Sequence, residues 1–443
     1  MTALSGWGRY PVFNTNLVTP RSIDAAGALT AASPAIVARG NGRAYGDAAV
    51  GIEKTLSMVA LDRMRAFDPI RGRITVEAGV LLADIIATFL PQGFFPKAVP
   101  GTRFVTVGGA IAADVHGKNH HRDGGFGDHV ESLLLATGGG KLLHASRDEN
   151  SDVFFATIGG MGLTGTILEA TLFLAPVETG WIRQRTVAAA DLAATIAILE
   201  ANDEVTYSVA WIDCITKGSH LGRSLVFLGE HARLDEIDES TRIRRFPPIR
   251  GPLLTVPFDL PELTLNRFTI AAFNELYYRR GARRAGNPFL VAADPYFFPL
   301  DSIGEWNRIY GRSGFVQHQC VLPNEAAADA LTEMLDRITR RGNGSFLAVL
   351  KKLGRASGLM SFPMEGYTLA LDFAVTPGLL DFLEELDAIV VNSGGRLYLA
   401  KDARQSRATF AAGYPHADRF RAICRTLDPQ GHIRSHLAER LGL

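Results

Sequence analysis

The order of apolar and polar positions gives this chain two textures. Up to about residue 176, short apolar runs stop at glycine. PAIVARG (residues 34–40) reads as a buried strand entering a turn, and RITVEAG (73–79) as another strand. VLLADIIATFL (80–90) carries the spacing of a packed helix. HVESLLLATGGGKLLHAS reads as a hairpin turning at Gly138, Gly139 and Gly140. SDVFFATIG has helical spacing behind a Ser151/Asp152 cap, and TGTILEATLFLAPV returns as a long strand. This first part is too irregular for a repeated βαβ unit. Beyond residue 180, amphipathic helices are expected over 188–201, 326–341 and 377–393. Extended pieces such as TYSVAWID, GFVQHQCVLP and YTLALDFAV lie among them. That alternation predicts an antiparallel sheet with helices on one face.

At 443 residues the chain exceeds one comfortable core, so two domains are expected. Basic and acidic residues balance at 46 each, which removes the basic footprint of a nucleic-acid binder. Three cysteines without CxxC spacing suit a reducing compartment, or an oxidising one without structural disulfides. MTALSGWGRYPVF lacks the basic-then-apolar order of a secretory signal, and no window approaches the ~18 uninterrupted apolar residues of a membrane span. A cytoplasmic chain, or one peripheral to a membrane, is the expectation.

Glycine crowds residues 100–165, where a fold keeps it for sharp turns or close ligand contact. GMGLTG (160–165) matches GxGxxG, but a helix precedes it and a strand follows. A dinucleotide site of the Rossmann type needs the reverse order. The P-loop pattern is absent. His116, His120, His121 and His129 lack metal-ligand spacing and read as loop or cofactor contacts. RGNGRAYGD (39–47) is a second glycine loop after a strand, able to form an anion-binding concavity to which Arg43 adds charge. Together, the two glycine segments suggest one long diphosphate-bearing ligand. Lys401, read on a strand, either snorkels to the surface or stabilises a reduced, anionic ring. Residues 242–284 mix proline, apolar residues and arginine. They read either as a long surface loop or as a lid meeting an anionic, partly apolar ligand or membrane.

RGNGRAYGD, PGTRFVTVGGAIAADVHGKNHH, FGDHVESL, FFATIGGMGLTGTI, GEWNRIYGRSGFVQHQCVLP and GGRLYLAKDAR together resemble the decaprenylphosphoryl-β-D-ribose 2′-oxidase family, within the vanillyl-alcohol-oxidase-type FAD flavoproteins. The likeness covers nearly the whole chain. It implies an α+β, two-domain vanillyl-alcohol-oxidase/PCMH-type FAD-binding fold. Residues 6–178 and 396–443 would form the FAD-binding domain, and 179–395 an antiparallel-sheet substrate-binding domain. By resemblance, FAD is held noncovalently by three segments. The first is Arg39, Gly40, Asn41, Gly42, Arg43, Ala44, Tyr45 and Gly46. The second is Gly101, Thr102, Thr106, Val107, Gly108, Gly109, Ala112, His116, Gly117, Asn119 and His120. The third is Gly162, Gly165 and Ile167, with Tyr398 and Lys401 near the ring. Gln319, Lys351, Tyr398 and Lys401 would meet the substrate. Lys401, Tyr45 and His116 are the candidates for polar catalytic roles, without a decision among them.

The chemistry implied is oxidation of a polyprenylphosphoryl-β-D-ribose at its 2′-hydroxyl, with hydride passing to the flavin and a base taking the proton. A short-chain reductase would complete epimerisation to the arabinose form, a cell-envelope arabinan precursor. Two positions depart from the family pattern. Ala370 stands where the family has a cysteine, so nitroaromatic inhibitors that trap that cysteine should not do so here. Phe297 stands where it has a tyrosine. The rival readings are a flavin oxidase of a soluble sugar alcohol or aldonolactone, a metal enzyme built on the histidines, and a flavin-binding protein without catalysis.

Overall fold

The computed structural model describes residues 1–261, 264–342, 344–345 and 347–443. Strands β1 (Thr2–Ser5), β2 (Val12–Val18), β3 (Ile36–Arg39) and β4 (Lys54–Ser57) form a sheet in the order 1-2-4-3, in which β4 runs parallel to both neighbours. A second, antiparallel sheet contains β5 (Met64–Asp68), β6 (Arg73–Glu77), β7 (Phe94–Pro96), β8 (Val130–Ala136), β9 (Leu142–Ser146) and β10 (Thr166–Pro176). The 80–90 helix lies over Leu82–Phe89 and buries Leu82, Ile85, Ile86 and Phe89, the i, i+3, i+4, i+7 face its spacing predicts. The hairpin is β8–β9 and the long returning strand is β10.

The later strands are β11 (Trp181–Ala189), β12 (Tyr207–Ile212), β13 (Ser224–His231), β14 (Leu254–Thr255), β15 (Phe289–Ala292), β16 (Ile303–Gly304), β17 (Phe315–Pro323), β18 (Ala348–Leu353), β19 (Gly366–Ala374) and β20 (Arg396–Leu397). β14 and β16 form a small parallel pair. The other eight make one antiparallel sheet in the order 15-11-13-12-18-19-17-20.

Period-two alternation gives this sheet two distinct faces. Ala210, Ile212, Leu350, Leu369 and Leu371 point into a core closed by the helices Leu192–Glu200, Asn324–Arg341 and Leu379–Asn392. Their neighbours Val209, Trp211, Val349, Lys351 and Ala370 face a cavity.

Three local expectations change. The Ser151–Thr157 helix is preceded by Asn150 in a left-handed conformation (φ 49°), so Ser151 and Asp152 lie inside its first turn and do not cap it. Lys401 sits in a turn after β20, not on a strand. Residues 242–284 are not loop throughout, because they contain a 16-residue helix, Arg267–Ala282, capped by Asn266. Among the described residues, no helix is long and apolar enough to cross a membrane.

Candidate active site

A cavity of about 560 Å³ lies between the open face of the eight-stranded sheet and the glycine loops of the N-terminal part. Its size falls in the ordinary range of small-molecule sites. Three chain segments far apart in sequence build its walls.

The first wall is the 40–45 loop following β3, with all six residues lining the cavity. Gly42 holds φ +65°, and a side chain on Gly40 would collide with Thr106 Oγ1, so glycine lets the two loops close on each other. Asn41 ties them by donating to the Phe104 carbonyl at 2.9 Å. The backbone N–H groups of residues 40–44 carry no hydrogen bond to any described residue. A run of free N–H groups beside a left-handed glycine is an anion cradle. Arg43 adds charge, its guanidinium 3.8 Å over the Trp7 ring and its buried Nε without a hydrogen-bond partner among the described residues.

Gly101, Thr102, Thr106, Gly108, Gly109, Ala112, His116 and Gly117 line the second wall, and Gly162, Gly165 and Ile167 close it. The helix Val107–Ala112 starts at Thr106, whose hydroxyl accepts from Gly109 N. At Gly162 (φ +75°) an added carbon would meet protein no closer than 3.9 Å, and at Gly101 nothing lies within 4 Å. Backbone is exposed there to whatever fills the cavity.

The polar end gathers His116, Gln319, Tyr398, Lys401, Tyr45 and Lys351. Gln319 Nε2 lies 3.0 Å from His116 Nε2 and 3.2 Å from Thr368 Oγ1. With the amide donating, the imidazole accepts at Nε2, which places its proton on Nδ1, a buried atom with no partner among the described residues. Burial, followed by the charges of Lys351, His120 and Lys401, holds the His116 pKa well below the histidine range, so the ring is neutral. Tyr398 donates its hydroxyl to the Ala113 carbonyl at 2.8 Å and stacks on Phe362. Lys401 Nζ lies 3.4 Å from the centroid of the Tyr45 ring. Burial lowers the Lys401 pKa against the opposing charge of Asp372, while burial raises both tyrosines.

Five residues expected at the cofactor do not line the cavity. Arg39 turns away to donate to the Ser5 carbonyl at 2.8 Å. Gly46 packs against the Asp402 carbonyl, and Val107 is fully buried in the core. Asn119 donates to the Lys97 carbonyl and Asp123, and His120 Nδ1 accepts from Gly354 N at 2.9 Å. These residues brace the walls.

Other polar and aromatic groups escaped the sequence reading: Lys118, Gln317, Asp301, Trp7, Trp211 and Trp306 line the cavity, and the charge of Asp372 acts on Lys401. Trp211 was findable, since period two in TYSVAWID places it opposite the core residue Ile212. Ala370 lines the cavity and no thiol does, among the described residues. No group of three or more described His, Cys, Asp or Glu residues assembles a metal site.

The donor set suits FAD. An anion cradle with an arginine lies along one wall, and an orphaned imidazole N–H, an ammonium and stacked aromatic rings lie at the polar end. The comparisons with known proteins agree. Residues 17–146 match the FAD binding domain family. This defines an FAD-dependent oxidoreductase with a vanillyl-alcohol-oxidase-type fold. Over 450 residues the chain is 40% identical to decaprenylphosphoryl-β-D-ribose oxidase of Mycolicibacterium smegmatis, covering 99% of this chain and 97% of that protein. It is 35% identical over 376 residues to an uncharacterized protein in the mprA 5′ region of Streptomyces coelicolor, covering 82% and 99% of the two chains. A shorter match, 33% over 153 residues, joins 32% of it to 29% of cytokinin dehydrogenase 7 of Oryza sativa subsp. japonica. The chain belongs to the decaprenylphosphoryl-β-D-ribose oxidase family.

Proposed function

We propose that this chain, with FAD bound noncovalently, oxidises the 2′-hydroxyl of a polyprenylphosphoryl-β-D-ribose to the 2′-keto sugar. Residues 6–178 and 396–443 form the FAD-binding unit in this reading, and 179–395 the substrate unit. The observation that carries it is a single cavity joining a proton-handling polar end to an apolar wall of Val209, Trp211, Phe227 and Val349. A soluble polyol has no use for that wall, whereas a lipid-linked sugar needs both ends.

The free N–H groups of residues 40–44, with Arg43, would hold the FAD diphosphate, and the open approach at Gly162 would leave room for the cofactor. When bound, FAD supplies the two-electron oxidant that accepts the hydrogen from sugar C2 as hydride. Lys401 takes the hydroxyl proton. Its lowered pKa makes the neutral amine available, while the raised pKa values keep Tyr45 and Tyr398 protonated. His116 offers its Nδ1–H as a donor, with Gln319 fixing the tautomer. Loss of C2–H and O–H leaves the carbonyl. A short-chain reductase then completes epimerisation toward an arabinan precursor, and the enzyme works peripherally at a membrane.

Anaerobic mixing of the purified holoenzyme with polyprenylphosphoryl ribose tests this directly. Bleaching of the visible flavin band, with a ketose product, is expected. Bleaching by a soluble sugar alcohol or aldonolactone but not by the lipid-linked sugar would overturn the reading.

A further inference from the structure

The cavity face of β18 carries a gradient of polarity. Leu347, Val349 and Lys351, alternate positions along the chain, line the cavity, while Leu350 points into the helix-covered core. Register extends the gradient to neighbouring strands. Val349 pairs with Ala370 on β19 and Trp211 on β12, all apolar. Lys351 pairs with Thr368, whose hydroxyl meets Gln319 and through it His116. Lys351 therefore stands where the apolar wall gives way to the polar end.

Lys118 approaches from the opposite wall. It is the residue after Gly117, and its ammonium donates to the Tyr296 carbonyl and lies 4.1 Å over the Tyr296 ring. Like Lys351 it is half-buried and lines the cavity.

The other cations of the cavity have acidic neighbours: Lys401 has Asp372, and Arg43 has Asp301 and Glu305. Lys118 and Lys351 form no salt bridge among the described residues. Burial, with the charge of Lys351 added, brings Lys118 down to about 7, and burial brings Lys351 to about 8. Two ammonium groups lining one cavity with no carboxylate partner among the described residues are costly, and the cost is relieved when a ligand supplies an anion.

We propose that Lys118 and Lys351 form a phosphate subsite that grips the phosphodiester of the substrate. The sugar then points to His116, Gln319 and Lys401, and the lipid runs along Val349, Trp211 and Phe227. The subsite also sets specificity. A neutral sugar alcohol brings neither ammonium group a counter-anion, so the site discriminates by charge as well as by apolar fit. The proposal rests on the lipid-linked substrate assigned above.

The test uses the holoenzyme and two unreactive probes, farnesyl phosphate and farnesol, followed by perturbation of the flavin spectrum. The wild-type protein should bind the phosphate at least about tenfold more tightly than the alcohol, the scale of one charge-assisted hydrogen bond. Lys118→Met and Lys351→Met should each lose about tenfold for the phosphate and little for farnesol, and Lys351→Arg should regain most of the loss. Equal wild-type affinities, or losses alike for both probes, would overturn the subsite. An enzyme that turns over polyprenylphosphoryl ribose yet shows either result loses only the subsite. One that does not turn it over loses the functional reading as well.

Discussion

Lys401 reaches the cavity from a turn, with its backbone N–H bonded to the Tyr398 carbonyl at 2.9 Å and its ammonium over Tyr45. Enclosure holds its pKa below the ordinary lysine value of 10.5. If the neutral amine takes the hydroxyl proton, its fraction grows with pH. At saturating substrate kcat should then rise from neutral pH upward and level off below 10.5. Lys401→Met should lower kcat by roughly 10²–10⁴-fold while keeping bound FAD, the usual scale of a lost general base. A flat kcat profile, or near-normal turnover in Lys401→Met, would move the base elsewhere. At this scale the sequence was partly legible. The glycines of residues 40–46 and 101–117 stood out because their cost in backbone entropy demands a reason. Lys118 did not, although it lies inside the GKNHH motif. A lysine near two histidines reads as solvated, and only the fold shows that it forms no salt bridge among the described residues.

Elements far apart in sequence hold the cofactor loop in place. Arg440, in the C-terminal helix His436–Leu441, sits between Asp47 at the end of the 40–47 loop and Asp402 after Lys401, at 2.9 Å from each. Both aspartates are buried. Removing the cation strands two carboxylates in low dielectric, a loss of about 3–5 kcal/mol. Arg440→Met should lower the thermal midpoint of the holoenzyme and speed FAD release, and adding Asp47→Asn should recover part of both. If FAD release is unchanged in Arg440→Met, the clamp does not act on the loop. The strands that build the cavity were readable as the extended pieces TYSVAWID and YTLALDFAV, which fold as β12 and β19. The helix Arg267–Ala282 was not. Phe268, Phe273 and Leu276 face outward while Ile270 and Asn274 are buried, so no single apolar stripe marks it.

At the scale of the whole molecule, that unusual helix gives the proposed membrane contact a location. Phe268 and Leu276 are 71% and 70% exposed, which a helix facing only water has no reason to present. Arg280, Arg283 and Arg284 are exposed nearby and form no salt bridge among the described residues. Apolar side chains and free arginines on one surface match an anionic bilayer, where a basic residue contributes on the order of 1 kcal/mol near the headgroups. The same helix reaches the cavity. Tyr277 lines it, with its ring 4.8 Å from Trp211 inside and 5.7 Å from the exposed Phe273 outside. Aromatic rings thus run from the apolar wall to the surface, a path along which a polyprenyl chain can leave a bilayer without crossing water. The holoenzyme should sediment with vesicles containing anionic phospholipid and less with neutral ones, and salt should weaken the binding as it screens the arginines. Phe268→Glu with Leu276→Glu should abolish sedimentation and slow turnover of long-chain substrate in vesicles, while a short-chain analogue in solution is oxidised at the wild-type rate. If the double variant sediments like the wild type, the helix is not the docking face. If short-chain turnover falls equally, the two residues support the cavity and not the membrane.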